Sequence, residues 1–170
     1  MKTILALITS ITLTSVGFSQ TNIPTKSIIE LKPVSYSVGW ADMLVNSSLD
    51  GLAVQLDGQP CIEYILAHAP SSLVYDIPPA ATHFTAVGIS PLELPNPGTW
   101  AYIVKVDRKV IFESRSLQSY QNKQVPIEVA IPKGSKRMEL IVSEMKDGYA
   151  DHSIWAKPRF EARLEAAKMK

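Results

Sequence analysis

Near its C-terminus the chain reads Asp-Gly-Tyr-Ala-Asp-His-Ser-Ile-Trp, residues 147–155. Two carboxylates, an imidazole and two aromatic rings in so short a span suit four uses. They could hold a metal, act as a general acid and base, face a sugar, or only turn the chain into its last strand. A sugar site needs an aromatic face for the apolar side of the ring, and polar groups for hydroxyls that both donate and accept. A carboxylate accepts from two hydroxyls at once, and a neutral imidazole offers one donor and one acceptor. Asp147, Tyr149, Asp151, His152 and Trp155 form that inventory. In a strand only alternate residues share a face. Ser153 and Trp155 therefore point together, Ile154 points opposite, and one of Ile154 and Trp155 should be core. The bland alternatives stand beside these: Trp155 as a packed core residue, Asp151 as a turn cap, Asp147-Gly148 as a turn dipeptide.

Other arrangements of reactive residues are weaker. Ser71, His68 and Asp151 can be written as a triad, but geometry and not composition defines one. Asp147 and Asp151 can be written as a glycosidase pair, yet nothing in the sequence raises either pKa. Gly-rich phosphate loops, His-Glu-x-x-His, paired-Cys zinc spacing and Gly-x-Ser-x-Gly are all absent. Cys61 is the only cysteine, so no intramolecular disulfide is possible, and its apolar neighbours read it as a small buried hydrophobe. These absences point away from an enzyme.

The elements that must position such residues are strands. In "VPIEVAI", Val125, Ile127, Val129 and Ile131 share one face, and Pro126, Glu128 and Ala130 the other. "RMELIVSEM" repeats the pattern with Met138, Leu140 and Val142. "AYIVKVD" followed by "RKVIFES" predicts a hairpin turning near Asp107 and Arg108. "SSLVYDI" and "THFTAVGIS" are further strands, rich in β-branched and aromatic residues. Proline-rich turns at 77–80, 91–98 and 131–136 separate them. Many short strands between turns predict an all-β antiparallel sandwich. At the tail, "RFEARLEAAKMK" suits a short helix, or residues 159–164 finish the last strand.

With 170 residues the chain is the size of one domain. Its 17 Lys and Arg against 16 Asp and Glu leave a net charge of +1, and it carries no basic run. That gives no footprint for nucleic acid and no membrane-surface patch. Residues 1–19 read as a signal peptide: Lys2, an apolar stretch from Ile4 to about Val16, then Gly17 and Ser19 at the −3 and −1 positions. An uncleaved anchor would need a longer and less Ser/Thr-rich stretch. The expected organisation is a signal peptide (1–19), a flexible lead-in (20–30), a sandwich (31–160) and a tail (161–170). The mature chain is then secreted, periplasmic or on the cell surface, with no membrane span left after cleavage.

Five segments in order carry a family resemblance: "LKPVSYSVGW" from Leu31, "VNSSLDGLAVQLDGQ" from Val45, "AHAPSSLVYDI" from Ala67, "FTAVGIS" from Phe84 and "DGYADHSIWAKPRF" from Asp147. The chain resembles the NPCBM domain, which corresponds to family 51 of carbohydrate-binding modules and is often attached to glycoside hydrolases such as those of family 98. The resemblance spans about Leu31 to Phe160. It implies a jelly-roll sandwich of the galactose-binding-domain type, non-catalytic, binding galactose-containing glycans with loops at one end. Many folds of this type also hold a structural calcium, for which Asp50 and Asp57 are the candidates. The candidate ligand residues are His68, Tyr149, Asp151, His152, Trp40 and Trp155; Trp40 and Trp100 lie beside loop signals, so either suits an exposed aromatic, and Tyr149 sits in a loop itself. Two departures stand out. No glycine precedes His-Ala-Pro-Ser, and a proline-rich loop replaces the acidic residues usual after Val-Gly-Ile. "NSS" at Asn46 matches a glycosylation acceptor. Two functions follow: a secreted glycan-binding module, or a structural or protein-interaction domain that keeps the fold without the sugar.

Overall fold

A computed structural model describes residues 25–47, 54–89, 98–115, 117–118, 124–145 and 152–163. Fourteen strands are assigned in it. They are β1 (Thr25–Ser27), β2 (Ser35–Val38), β3 (Leu44–Val45), β4 (Gln55–Leu56), β5 (Gln59–Pro60), β6 (Tyr64–His68), β7 (Ser71–Asp76), β8 (His83–Ile89), β9 (Thr99–Val106), β10 (Lys109–Glu113), β11 (Leu117–Gln118), β12 (Val125–Ala130), β13 (Arg137–Glu144) and β14 (His152–Glu161). Sheet A runs β12-β8-β14-β6-β3, with β1 also on β14. Sheet B runs β10-β9-β13-β7-β2, with β11 also on β9. The two stack as a sandwich of antiparallel ladders, as the strand pattern predicts. Among the described residues there is no α-helix; a single 3-10 turn covers Ile28–Glu30.

The inward faces follow the period of two. Met138, Leu140 and Val142 of β13 are buried, and so are Ile127 and Val129 of β12. Pro126 is exposed on β12, an edge strand, where a missing N–H costs no ladder bond. The predicted hairpin turns at Asp107 and Arg108, which sit at φ 46° and 71°. The fold starts earlier than expected. Residues 25–30 are not a loose lead-in: β1 pairs Thr25–Ser27 with Glu161–Arg159, and Ile28 is fully buried. At the other end β14 runs to Glu161 and bulges between Ala156 and Arg159, which accommodates Pro158 and the left-handed Lys157 (φ 47°). Residues 164–170, where a helix was the alternative, lie outside the described residues.

Around β6 and the first half of β14, sheet A is buried on both faces. Ile65, Ala67 and Trp155 point between the sheets into the main core. Leu66, Ile89, Ile154 and Ala156 point outward into a second cluster with Val54, Leu56 and Cys61 from the β4–β5 region. That hairpin is a lid over one outer face. Ile154 and Trp155 are therefore both core, where one was expected.

Tyr102 ties the two sheets together. It stands on β9 in sheet B, and its hydroxyl reaches sheet A. The oxygen lies 2.7 Å from the Ile89 carbonyl and 2.9 Å from the Ile154 carbonyl, and it accepts the Ile154 N–H at 3.2 Å. Its ring meets Trp155 edge-on at 4.8 Å. Gly88 makes the approach possible, since a Cβ there would lie 2.4 Å from the Tyr102 ring. Burial pushes the phenol pKa well up, so the hydroxyl stays neutral. Tyr102→Phe keeps the shape and strands the polar groups it served, so urea unfolding should show a loss of about 1–3 kcal/mol. Gly88→Ala should cost more, because the contact is with the body of a fixed ring.

Candidate ligand site at the His68–His152 end

His68 ends β6 and His152 begins β14, and the antiparallel register sets them directly opposite. Strand alternation puts both on the outer face of sheet A, with Leu66 and Ile154, at the end beyond the second apolar cluster. Their ring centroids are 4.1 Å apart at 61°. Trp40 closes over them from the segment after β2, edge-on to His68 at 4.8 Å and to His152 at 6.5 Å. His68 is 4% exposed, His152 half-buried and Trp40 61% exposed. The result is a graded stack: a buried imidazole, a half-buried one, and an indole with most of its surface in solvent.

What aims Trp40 is its neighbour. A Cβ on Gly39 would lie 2.6 Å from the Pro70 ring and 2.8 Å from the Ala69 carbonyl oxygen. The loop therefore lies flat on the Ala69-Pro70 peptide, which is cis, just past His68. Beyond Trp40, Ala41 is left-handed (φ 56°), and Asp42 accepts a hydrogen bond from Tyr36 of β2. Asn46 then anchors the return, its Oδ1 accepting the Tyr64 N–H at 2.9 Å. That side chain, noted as a glycosylation acceptor, has a backbone role, and its φ of 52° suits asparagine.

Of the six residues expected at a ligand, the structure brings three together: Trp40, His68 and His152. His68 lies under Trp40 and is buried. Trp155 is corrected outright. It is fully buried between the sheets, because its face of β14 is the inward one. Trp100 is likewise 1% exposed. Tyr149 and Asp151 lie outside the described residues, as does Asp50. Asp57 is exposed and occupies the β4–β5 turn with Gly58, both at positive φ (53° and 72°), as a two-residue Asp-Gly hairpin requires. Turn chemistry accounts for it. Among the described residues there is no group of three or more His, Cys, Asp and Glu that could hold a metal. Gly39 and Tyr36 were missed from sequence. The glycine before an exposed tryptophan was the available signal.

His68 Nε2 is buried and has no hydrogen-bond partner among the described residues. Burial first, and the neighbouring His152 second, lower the His68 pKa to about 4. The ring is neutral at physiological pH. The unfolded chain takes up this proton near pH 6.5 and the folded one near 4. The unfolded state thus binds more protons across that window, and stability must fall as pH drops through it. Urea midpoints measured from pH 7 to 4 should show the decline, and it should be smaller in His68→Gln.

The chain belongs to the NPCBM/NEW2 domain family, whose model matches residues 25–161. The family 51 carbohydrate-binding module of a Clostridium perfringens family 95 glycoside hydrolase, solved with methyl-galactose, superposes with a TM-score of 0.71 at 20% identity. The match covers 81% of this chain and 99% of that one. A second such module of the C. perfringens protein ZmpB, solved with GlcNAc, superposes with a TM-score of 0.72 at 18% identity. The tandem modules of a Streptococcus pneumoniae family 98 glycoside hydrolase give 0.67 at 20%, over 93% of this chain. This chain spans only 31% and 52% of those two longer chains. No curated protein matches the sequence. The shared architecture confirms the jelly-roll sandwich.

Proposed function

We propose that this chain is a carbohydrate-binding module that takes a galactose-type or related sugar on the Trp40 face at the His68–His152 end. The observation that carries the reading is an indole 61% exposed yet fixed in place by an underlying imidazole pair. An exposed tryptophan on a mobile tether would lose side-chain entropy on binding, whereas one already held loses little. The apolar face of a pyranose stacks on the exposed surface, and half-buried His152 offers the nearest polar ring. Support comes also from family membership and from relatives solved with methyl-galactose and GlcNAc. The role requires no chemistry, so the reading is non-catalytic, and the leader-like residues 1–19 support a site of action outside the cytoplasm.

The protein's own tryptophans provide the assay. Trp100 and Trp155 are 1% and 0% exposed, so a sugar in contact with tryptophan must report through Trp40. Titration with galactose- and GlcNAc-terminated oligosaccharides should shift the emission of the wild type. Trp40→Ala should lose the shift and weaken binding at least tenfold, about 1.4 kcal/mol, with little change in Tm. No response from a folded sample to any oligosaccharide would leave the interaction-domain reading in its place. Gly39→Ala separates positioning from contact. It should weaken sugar binding several-fold, although residue 39 has no side chain to touch the ligand.

A further inference from the structure

The two outer faces of the sandwich differ. Sheet A carries a lid and an apolar cluster; among the described residues the outer face of sheet B has neither. Alternation and register lay its residues out in rows. Ser37, Ser72, Ile141 and Ile103 stand side by side across β2, β7, β13 and β9, and Ser35, Val74, Glu139 and Lys105 form the next row. Two grooves run over this face. One, of about 550 Å³, lies between Gly39, Pro70, Ser37, Ser72 and Ser143. The other, of about 490 Å³, lies between Val74, Asp107, Arg108 and Arg137. Glu139 is a wall of both, so they meet end to end.

The far end is basic. Arg108, Lys109, Lys133 and Lys136 are exposed, and none of them forms a salt bridge among the described residues. The acids close by are already engaged. Asp107 accepts the backbone N–H groups of Arg137 (2.9 Å) and Lys136 (3.1 Å), Asp76 pairs with Arg137, and Glu139 accepts the Ser72 hydroxyl at 2.7 Å. Arg108 is also strained. It holds φ 71° in the second position of a tight hairpin, where glycine is the unstrained choice. An arginine kept there places a guanidinium fork at the groove mouth, at a backbone cost the turn itself does not require.

We propose that the outer face of sheet B is a second binding surface, for an acidic saccharide chain. Its carboxylate or sulfate sits on Arg108 and Arg137, and its hydroxyls meet Glu139, Ser72 and Ser37. The guanidinium fork matches a planar or tetrahedral oxyanion. The carboxylate and hydroxyls in mid-groove suit a ligand that also donates hydrogen bonds. A nucleic-acid strand would find no aromatic ring on these rows to stack a base. One end of the groove, at Gly39 and Pro70, borders the loop that carries Trp40, but the indole itself packs on His68 and His152 of the other sheet.

The test is calorimetric titration of the full chain with a sulfated heparin-derived oligosaccharide, an oligogalacturonate and a neutral galacto-oligosaccharide. At least one acidic ligand should bind without moving the Trp40 emission, and the stronger of the two identifies sulfate or carboxylate. Arg108→Gly should weaken that binding tenfold or more while raising Tm by a few degrees, since it removes the charge and the strain together. A lost fold therefore cannot mimic the result, and any response to the neutral sugar should survive in this variant. Failure of both acidic ligands to bind, unchanged affinity in Arg108→Gly, or equal competition by a DNA duplex would each overturn the proposal.

Discussion

The Tyr102 hydroxyl is the constraint on which the rest depends. A sandwich is held mainly by non-directional burial, which fixes how close two sheets lie better than how they are aligned. Tyr102 adds direction. It crosses from β9 to the carbonyls of Ile89 and Ile154, where β8 and β14 begin their pairing. Because Ile154 is pinned, His152, two residues earlier and on the same face, is pinned with it. The site end of sheet A thus inherits its position from a residue of sheet B. Gly88 belongs to the same device, since any side chain there would hold the ring away.

Burial of sheet A on both sides then sets the electrostatics. The β4–β5 lid gives β6 and β14 two apolar faces, and all five residues of β6 are buried. His68 ends that strand inside the apolar shell, and so it stays neutral. A neutral imidazole under an indole is a firm and uncharged support. His152, its direct partner on β14, is half-buried. The gradient from His68 to Trp40 is the gradient of burial at a sheet edge. The outer face of sheet B shows the contrast: among the described residues no lid covers it, serines, Glu139 and Lys105 alternate there with Ile103, Ile141 and Val74, and its charge collects at the hairpin end.

Much of the fold was legible in the sequence. The alternation in 125–131 and 138–142 fixed which side chains face inward, and the Asp107-Arg108 hairpin turns where its flanking strands predict. The start of the fold was not legible. "TKSII" has no alternation of its own and is ordered only because β14 offers it an edge beyond the reach of β6.

For the site, the chain determined by itself which chemistry was available: three tryptophans, three histidines, one cysteine and no catalytic signature. Period-two alternation also determined that His152 and Trp155 lie on opposite faces of one strand. Which of those faces meets solvent is not a local property. Trp155 is core because sheet B covers its side, and Trp40 is exposed because it lies on the outer side, over His68 and His152. His68 is buried because a segment far from it in sequence folds back and lies on Pro70 through a glycine. Burial belongs to pairs of elements, and only the tertiary structure states which pairs meet.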